Sequence, residues 1–579
     1  MRVVTVLALA LGGFVSISLA LLLFFPQLTA TQHLAGGREG GVELPWHFGE
    51  VAKGNRLDVR IPFTIFAPRR WTIIPDDRLV SITVDGRPVP LDDVRPGGLT
   101  DWDKGFEMDL SPWLHSGDNE VEFTVDNSGG RGGLRLRPLL GWRVVPLTAA
   151  FLPWLFGLGV VFRLRRPVVG VLCAALLVLT IYWAATPWIV RSYDVAYRGD
   201  GGHFDYVVYV AEHWTLPPSD RGWEFYQPPL YYVGGALALR WARRLGLSEL
   251  DTLQAYSLSL WLVFLTASAA TFQRALGRSK WRTLLATAGL AFWPSSIIHS
   301  VRVGNDAALY ATAAISTWFM YRWWRSGRRL HLVGMALAVA AALLSKSSAA
   351  ALVVAAGALL VLRLLRKRHW RHLRRWGDSA LAGAIVTIGA VLSVGRNVWL
   401  RLHGRVSSWL VGTVGALDAN LRVPNTWRYY VPLDVPVFLS SPWVDSRADA
   451  TGRTNFWNYL LRSAFTGEFK FEGELRADTS IFWGAALLCL LLLLALRLHP
   501  LRVRKTVLWR EAPWIMLAVA WVASLLVSRA VYPYSCQGDF RFIVPVLVPF
   551  ILACVRRGRL AQALLSVIVL TSAAFFATL

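Results

Sequence analysis

The chain has 579 residues, of which 54% are hydrophobic and 17% charged, whereas soluble proteins carry about 25% charged residues. Its net charge of +24 would suit a protein that binds nucleic acid. However, the Lys and Arg residues stand in short clusters between long apolar blocks, which is the positive-inside pattern of membrane proteins. We therefore expect a multi-pass protein surrounded by membrane lipids, and we expect no nucleic-acid partner.

The apolar blocks predict about 13 transmembrane helices, since a span needs about 20 predominantly apolar residues. Most blocks are clear, and Asp306–Trp324 is weaker. The blocks are Val3–Phe25, Leu152–Phe162, Val168–Val190, Ser257–Phe272, Leu285–Phe292, Asp306–Trp324, Leu332–Leu344, Ala349–Leu362, Leu381–Val394, Ile481–Leu496, Ile515–Val527, Phe542–Val555 and Ala561–Leu579. No clear cleavage site follows the first block, so residues 1–26 are predicted to be a retained membrane anchor.

Basic clusters predict the orientation of these helices. We place six of them in the cytoplasm: Arg163–Arg166, Arg274–Arg282, Arg322–Arg329, Arg363–Arg375, Arg497–Arg510 and Arg556–Arg559. Successive clusters must then be separated by two spans, and Pro228–Leu247 would break that count if it crossed. We predict instead that Pro228–Leu247 is a helix on the outer membrane surface, and that the C-terminus is outside.

Residues 27–143 have the pattern of an extracytoplasmic β-sandwich inserted after the first helix. Arg56–Phe66 alternates and is β-branched, and Asp85-Gly86 is a hairpin signal between two short strands. The stretch DLSPWLHSGDNEVEFTV, at Asp109–Val125, resembles a segment of the jelly-roll domains called galactose-binding-like. That resemblance implies a sugar-binding domain, and a docking module without a ligand is the alternative.

The rest of the chain divides into three parts. Residues 144–395 are predicted to form a membrane core that carries an outer loop at 191–250. Residues 396–480 form a large extracytoplasmic loop that we expect to cover a cleft, and residues 481–579 supply the C-terminal helices. The four Cys residues show neither a disulfide framework nor metal-binding spacing.

The outer loop concentrates acidic residues near the exit of a predicted span. Asp194, Asp200, Asp205 and Glu212 lie within 19 residues of one another, and carboxylates at a membrane surface are costly unless they serve a function or face water. Asp200 precedes two glycines, so no helix face explains it. The segment from His203 to Trp214 is predicted to be helical.

This loop, with its pattern D..H..Y followed by YQPPLYY, resembles the first outer loop of the C-type (GT-C) polytopic membrane glycosyltransferases. That superfamily includes the dolichyl-phosphate-mannose protein mannosyltransferases and the lipid A aminoarabinose transferases. PSSIIHSVRVGNDAAL at Pro294–Leu309, Leu344-Ser345-Lys346 and YPYSCQGDFRFIVP at Tyr532–Pro545 are similar to later segments of the same group. The resemblance covers about residues 190–550, and this chain has Gly201 where family members often have Glu.

The resemblance implies roles for particular residues. Asp200 matches the loop carboxylate that acts at the acceptor or holds a metal, and Asp194 is the second candidate. Cations should meet the leaving phosphate, and the further donor-binding candidates are Lys346, Arg541, Arg396, Tyr226 and Gln227, with Arg302 behind them. A divalent cation, Mg or Mn, is predicted on Asp200 and Asp306, with His203 as a further ligand.

Each of these residues also has a simpler interpretation. Asp306 follows Gly304-Asn305 and fits a helix cap, and Lys346 fits a side chain that reaches toward the membrane interface. Asp539 and Arg541 fit a local ion pair. His203 fits a polar surface residue.

We therefore predict extracytoplasmic transfer of a hexosyl or pentosyl group from a polyprenyl-phosphate sugar to a lipid, glycan or protein acceptor, at the plasma (inner) membrane. A transporter or flippase of lipid-linked glycans is one alternative, although it should carry charges near the midplane of its spans. A non-catalytic assembly protein on the same fold is the other alternative.

Overall fold

The computed structural model describes most of the chain in 14 segments. The described residues are 2–25, 28–42, 44, 46–49, 51–63, 70–102, 105–130, 132–139, 141–185, 201–366, 373–405, 425–436, 455–467 and 505–577. The predicted site residues Asp194 and Asp200 lie outside them, as does the predicted span at Ile481–Leu496. The chain divides into two compact units, Gly13–Phe151 with Arg240–Thr252, and the remainder.

Within the described residues, the first unit contains a β-sandwich of ten antiparallel strands. The strands are β1 Thr29–His33, β2 Glu39–Val42, β3 Trp46–Phe48, β4 Asn55–Phe63, β5 Arg70–Pro75, β6 Arg78–Val84, β7 Arg87–Pro88, β8 Phe106–Asp109, β9 Gly117–Asp126 and β10 Gly132–Leu139. One sheet has the order β2-β1-β4-β9-β6-β7 and the other has the order β3-β10-β5-β8. The predicted β-rich unit after the first helix is therefore present, whereas its likeness to galactose-binding domains stays a prediction.

Alternating side chains explain how the two sheets bury a common core. On β9, Val121, Phe123 and Val125 are fully buried while their neighbours point away, which is the period of two expected for a strand with one buried face. Trp71 and Ile73 of the other sheet belong to the same hydrophobic cluster. Burial of a large apolar side chain stabilises a fold by about 1.5–3 kcal/mol.

The predicted hairpin at Asp85-Gly86 is confirmed. It joins β6 to β7, and both residues have positive φ, 47° and 75°, as a two-residue turn of type I′ requires. The Asp85 carboxylate also accepts a hydrogen bond of 2.9 Å from the backbone N–H of Glu120, so the turn is tied to the neighbouring strand β9.

Helices make up most of the remaining described residues. They are α1 Arg2–Phe24, α2 Val144–Phe162, α3 Arg166–Ala185, α4 His203–His213, α5 Leu230–Leu245, α6 Glu249–Leu276, α7 Lys280–Ala291, α8 Pro294–Ile298, α9 Asp306–Ser326, α10 Arg329–Ser345, α11 Ala350–Arg366, α12 Leu373–Leu402, α13 Trp427–Tyr430, α14 Phe456–Thr466, α15 Lys505–Val531, α16 Leu547–Arg557 and α17 Arg559–Ala577. The predicted helix from His203 is confirmed as α4.

Within the described residues, nine helical segments are long and apolar enough to cross a membrane. They overlap nine of the 13 predicted blocks, so the multi-pass character is supported while the count of 13 is not confirmed. Of the remaining blocks, Leu285–Phe292 falls on the 12-residue helix α7 and Leu332–Leu344 on the 17-residue helix α10. The helix α5, predicted to lie on the surface, is not among the nine.

A tight turn joins α9 to α10 at the ends of the two helices that lie away from the site. Gly327, with a φ of 67°, ends α9, and α10 begins two residues later at Arg329. So short a connection makes the two helices antiparallel neighbours, and 21 and 17 residues give lengths of about 31 and 26 Å. The start of α9, at Asp306, therefore lies next to the end of α10, at Lys346.

Candidate functional site

A buried ion pair joins the ends of α9 and α10. The Lys346 ammonium donates a hydrogen bond of 2.6 Å to Asp306 Oδ1, and an Arg302 nitrogen lies 3.7 Å from Asp306 Oδ2. Asn305 occupies the N-cap position of α9 and makes no side-chain cap hydrogen bond. Asp306 itself is the first residue inside the helix, so its interpretation as a cap is wrong.

Lys346 is held inside the protein rather than extended toward an interface. Only 7% of the residue is exposed, so the interpretation as an interfacial lysine is wrong. An ammonium group has three N–H donors, and among the described residues the Lys346 side chain donates only to Asp306. The other two N–H donors have no acceptor among the residues that the structure describes.

Arg541 brings a second cation to the aromatic ring that Lys346 contacts. Its guanidinium carbon and the Lys346 nitrogen each lie 4.9 Å from the centre of the Phe542 ring. The Asp539 carboxylate accepts a hydrogen bond of 3.0 Å from the backbone N–H of Arg541 and lies 3.3 Å from its Nε. The predicted local ion pair between Asp539 and Arg541 is thus confirmed. The paired Arg541 still lies over the Phe542 ring.

A tyrosine ties this loop to α9. The Tyr310 hydroxyl donates a hydrogen bond of 2.5 Å to the backbone carbonyl of Arg541. Tyr310 lies one turn after Asp306 on the same helix, so one helix positions both the carboxylate that holds Lys346 and the backbone that carries Arg541. We call Arg302, Asp306, Lys346, Asp539 and Arg541 the cation cluster.

His299 lies close to the cation cluster and was not predicted as a site residue. Burial, together with the nearby Arg302 guanidinium, lowers the pKa of His299 to about 3. The imidazole is therefore neutral at physiological pH and adds no charge to the cluster. Neither ring nitrogen has a hydrogen-bond partner among the described residues. The sequence signal was available, because His299 lies within the quoted PSSIIHSVRVGNDAAL segment.

A chain of side-chain hydrogen bonds runs from the cation cluster to the predicted outer loop. Asn305 Nδ2 donates 3.0 Å bonds to the Ser345 carbonyl and to Gln227 Oε1. Gln227 Nε2 in turn donates 2.9 Å bonds to the Glu224 carboxylate and the Tyr226 hydroxyl. Gln227 therefore contacts the residue next to Asp306, whereas Tyr226 lies one hydrogen bond further away.

The same chain reaches the residue that follows Asp200. The backbone N–H of Glu224 donates a 2.8 Å bond to the Gly201 carbonyl. Gly201 and Gly202 donate their own N–H groups to Asp205, at 2.8 and 3.3 Å. Glu224 was missed by the sequence analysis, because nothing in its local pattern distinguishes it from other loop residues.

His203 is a buried residue, so its interpretation as a surface histidine is wrong. Only 3% of it is exposed, and its Nδ1 forms a 2.8 Å hydrogen bond with the Tyr232 hydroxyl. The Glu224 carboxylate lies 4.0 Å from the same nitrogen. His203 thus links the start of α4 to α5 within the outer loop.

Arg396 contacts the outer loop rather than the cation cluster in the described structure. Its guanidinium donates hydrogen bonds to the carbonyls of Pro217, at 2.8 Å, and Phe225. The neighbouring Asn397 donates a 2.9 Å bond to the Tyr226 carbonyl. These contacts give Arg396 a structural role in fixing the path of the loop, and its contact with a donor phosphate stays a prediction.

The described part of the predicted metal set does not fit a divalent cation. Asp306 is already matched by Lys346 and flanked by Arg302, and positive groups at these distances repel a metal ion. No group of three or more His, Cys, Asp or Glu side chains able to hold a metal occurs among the described residues. A metal on Asp200 stays a prediction.

Comparison with known proteins links the middle of the chain to one family. Residues 252–393 match the family model described as dolichyl-phosphate-mannose-protein mannosyltransferase. This segment resembles the C-type glycosyltransferases. The resemblance predicted from the sequence is thus confirmed for these residues, which include Arg302, Asp306 and Lys346. No curated protein matches the chain.

Two solved structures of ArnT from Cupriavidus metallidurans also match, one in the apo state and one bound to undecaprenyl phosphate. Both share 15% identity with this chain and cover 67% of it. The apo structure has a TM-score of 0.32 with 78% of its own chain covered, and the bound structure has 0.33 with 77% covered. Scores this low do not establish a shared fold, so neither structure assigns a role to any residue of this chain.

Proposed function

We propose that the chain transfers a sugar from a polyprenyl-phosphate donor to an acceptor hydroxyl on the extracytoplasmic side of the plasma (inner) membrane. One observation carries the proposal. Lys346 is buried, aligned by Asp306 at 2.6 Å and placed with Arg541 around one aromatic ring. Within the described residues its side chain keeps two N–H donors for a ligand, and it lies in the segment that matches the mannosyltransferase model.

The proposed reaction breaks the bond between the anomeric carbon and the phosphate oxygen. The acceptor oxygen forms the new bond to that carbon with inversion, its proton passes to a carboxylate base, and the polyprenyl phosphate leaves with an added negative charge. Fixed cations stabilise charge that develops during a reaction. Lys346 and Arg541 are the residues that we assign to the leaving phosphate, since the fork of an arginine can bind two oxygens.

Asp200 is our candidate for the base, with Asp194 second. A base must lie within hydrogen-bond reach of the proton that it removes. Both residues lie outside the described part of the chain, so this assignment rests on the resemblance of the loop and on its position one residue before Gly201. Replacement Asp200→Asn should abolish sugar transfer in cells. Transfer that persists in Asp200→Asn would overturn the assignment of the base. It would not contradict the assignment of Lys346 and Arg541 to the donor phosphate.

The donor class is tested with the purified full chain in lipid nanodiscs. Synthetic polyprenyl-phosphate sugars should be consumed with release of polyprenyl phosphate, and nucleoside-diphosphate sugars should not react. Arg541→Ala should slow release by about 10²-fold, and Arg541→Lys by less, because lysine keeps the charge and loses the fork. Equal rates in the wild type and Arg541→Ala would overturn the role of this residue, and use of the nucleotide sugars alone would overturn the function.

A further inference from the structure

A cavity of about 380 Å³ opens beside α4 in the predicted outer loop, within the range of about 300–1,000 Å³ that is typical of small-molecule sites. Its walls include Gly201, Asp205, Tyr209, Glu212, Arg221 and Phe225. Asp205, Tyr209 and Glu212 are four and three residues apart, so they lie on one face of α4. None of these three residues belongs to the cation cluster.

Hydrogen bonds connect this cavity to the proposed reaction centre. The backbone of Gly201, at the cavity wall, accepts a 2.8 Å bond from Glu224, whose carboxylate accepts from Gln227. Gln227 accepts from Asn305, the residue before Asp306. In the sequence, Gly201 also follows Asp200 directly. The cavity is therefore joined to the residue before Asp306 through Gly201, Glu224, Gln227 and Asn305.

The chemistry of the walls favours a neutral, hydroxyl-rich ligand. Carboxylate oxygens accept hydrogen bonds from hydroxyl groups, and a guanidinium donates to them. Asp205 Oδ2 accepts the N–H groups of Gly201 and Gly202, and the Glu212 side chain is solvent-exposed at the cavity. Tyr209 and Phe225 add ring surface that suits the C–H faces of a pyranose.

An anionic ligand suits these walls poorly. The described wall residues include two carboxylates, Asp205 and Glu212, and one guanidinium, Arg221, so a phosphate or a carboxylate would meet net repulsion from them. Contact between like charges at a binding site disfavours a partner of that charge. These wall residues thus favour the binding of neutral sugars over that of phosphate-bearing headgroups.

We propose that this cavity is the acceptor subsite and that it takes a neutral pyranose, so that the chain extends a glycan rather than modifying a lipid phosphate or a polypeptide. This inference rests on the proposed function, because it assumes a transfer reaction at the cation cluster. Glu212 and Tyr209 are the residues that we expect to determine acceptor binding.

Direct binding tests the inference without any turnover. The full chain in phosphatidylcholine nanodiscs is titrated, with saturation-transfer NMR as the readout, against the methyl glycosides of glucose, mannose and galactose, against glucose 6-phosphate, and against an acetylated serine amide. At least one neutral glycoside should bind, and its affinity should fall at least tenfold in Glu212→Gln and in Tyr209→Ala. Glu107→Gln is the matched control, since Glu107 is an exposed carboxylate on β8, and it should bind as the wild type does.

Three results would overturn the inference: no glycoside binds, glucose 6-phosphate or the serine amide binds more tightly, or binding survives both cavity variants. Release of polyprenyl phosphate is measured on the same samples to separate this inference from the proposed function. If the donor is turned over while the cavity variants leave the KM for the glycoside unchanged, the inference fails alone. If glycosides bind but no donor is turned over, the proposed function fails, and the assignment of the cavity as an acceptor subsite fails with it.

Discussion

Lys346 and Asp306 show why a buried ion pair is informative about function. Removing two charges from water costs several kcal/mol per ion, and apolar side chains of similar size often stabilise a fold as well or better. The pair is therefore weak evidence for stability alone. Two N–H groups of Lys346 instead have no acceptor among the described residues. A site that binds phosphate needs such available donors.

A single and a double variant separate the structural role of Lys346 from its proposed catalytic role. Lys346→Met should destabilise the protein by about 3–5 kcal/mol, because it leaves Asp306 buried without its closest cation. Adding Asp306→Asn should restore much of that stability. The double variant should still release polyprenyl phosphate about 10²–10³-fold more slowly than the wild type.

Thermal unfolding and donor turnover, both in nanodiscs, measure the two effects. Lys280→Met serves as the control, since Lys280 is an exposed lysine at the start of α7. Full recovery of turnover together with stability in the double variant would mean that Lys346 is only a structural counter-ion.

At the scale of elements, the outer loop after Asp200 depends on a glycine. Gly201 has a φ of 73°, and a Cβ there would lie 2.2 Å from the Cα of Gly222. This backbone conformation suits glycine and strains other residues, and the close approach leaves no room for a side chain. The departure from the acidic residue often found in the family at this position therefore has a steric reason.

Gly201→Ala should move the loop and reduce donor turnover at least tenfold. Gly246→Ala is the matched control, because Gly246 has a similar φ of 64° with no atom within 4 Å of an added Cβ. The control carries the backbone strain of about 1–2 kcal/mol without the clash. Equal turnover in the two variants would show that the position of the loop does not matter for the reaction.

Local patterns predicted the elements well and the contacts between loops poorly. Periodicity identified α4 and the β-rich unit, and the Asp85-Gly86 pair identified the hairpin, because those features depend on neighbours along the chain. Glu224 and His299 were missed, and the contacts of Arg396 with the outer loop were not predicted. The partners of these residues are set by the folded path of separate loops, which no periodic pattern encodes.

At the scale of the whole molecule, the charge pattern predicts which side of the membrane each segment faces. The prediction depends on Pro228–Leu247, which corresponds to the 16-residue helix α5. Its last turn carries Arg243 and Arg244, and charged residues of this kind are costly within a span. If α5 does not cross, the outer loop and the cluster at Arg274–Arg282 lie on opposite sides.

Reporter fusions test this arrangement. A fusion after Leu247 should be active outside the cytoplasm, and a fusion after Gly277 should be active inside it. The two sites are separated by α6, a 28-residue helix that is long enough to span. A cytoplasmic reporter after Leu247 would contradict the topology and, with it, the extracytoplasmic placement of the proposed reaction.

The central claim is that the cation cluster binds the phosphate of a polyprenyl-linked sugar. The most direct measurement is mass spectrometry of the lipids that remain bound to the purified full chain, compared with those bound to Lys346→Met and Arg541→Ala. We predict that the wild type retains a polyprenyl phosphate or its monosaccharide ester and that both variants lose at least nine-tenths of it, about 1.4 kcal/mol of binding free energy. Equal retention by the variants, or the absence of any phosphorylated polyprenol from the wild type, would contradict the claim.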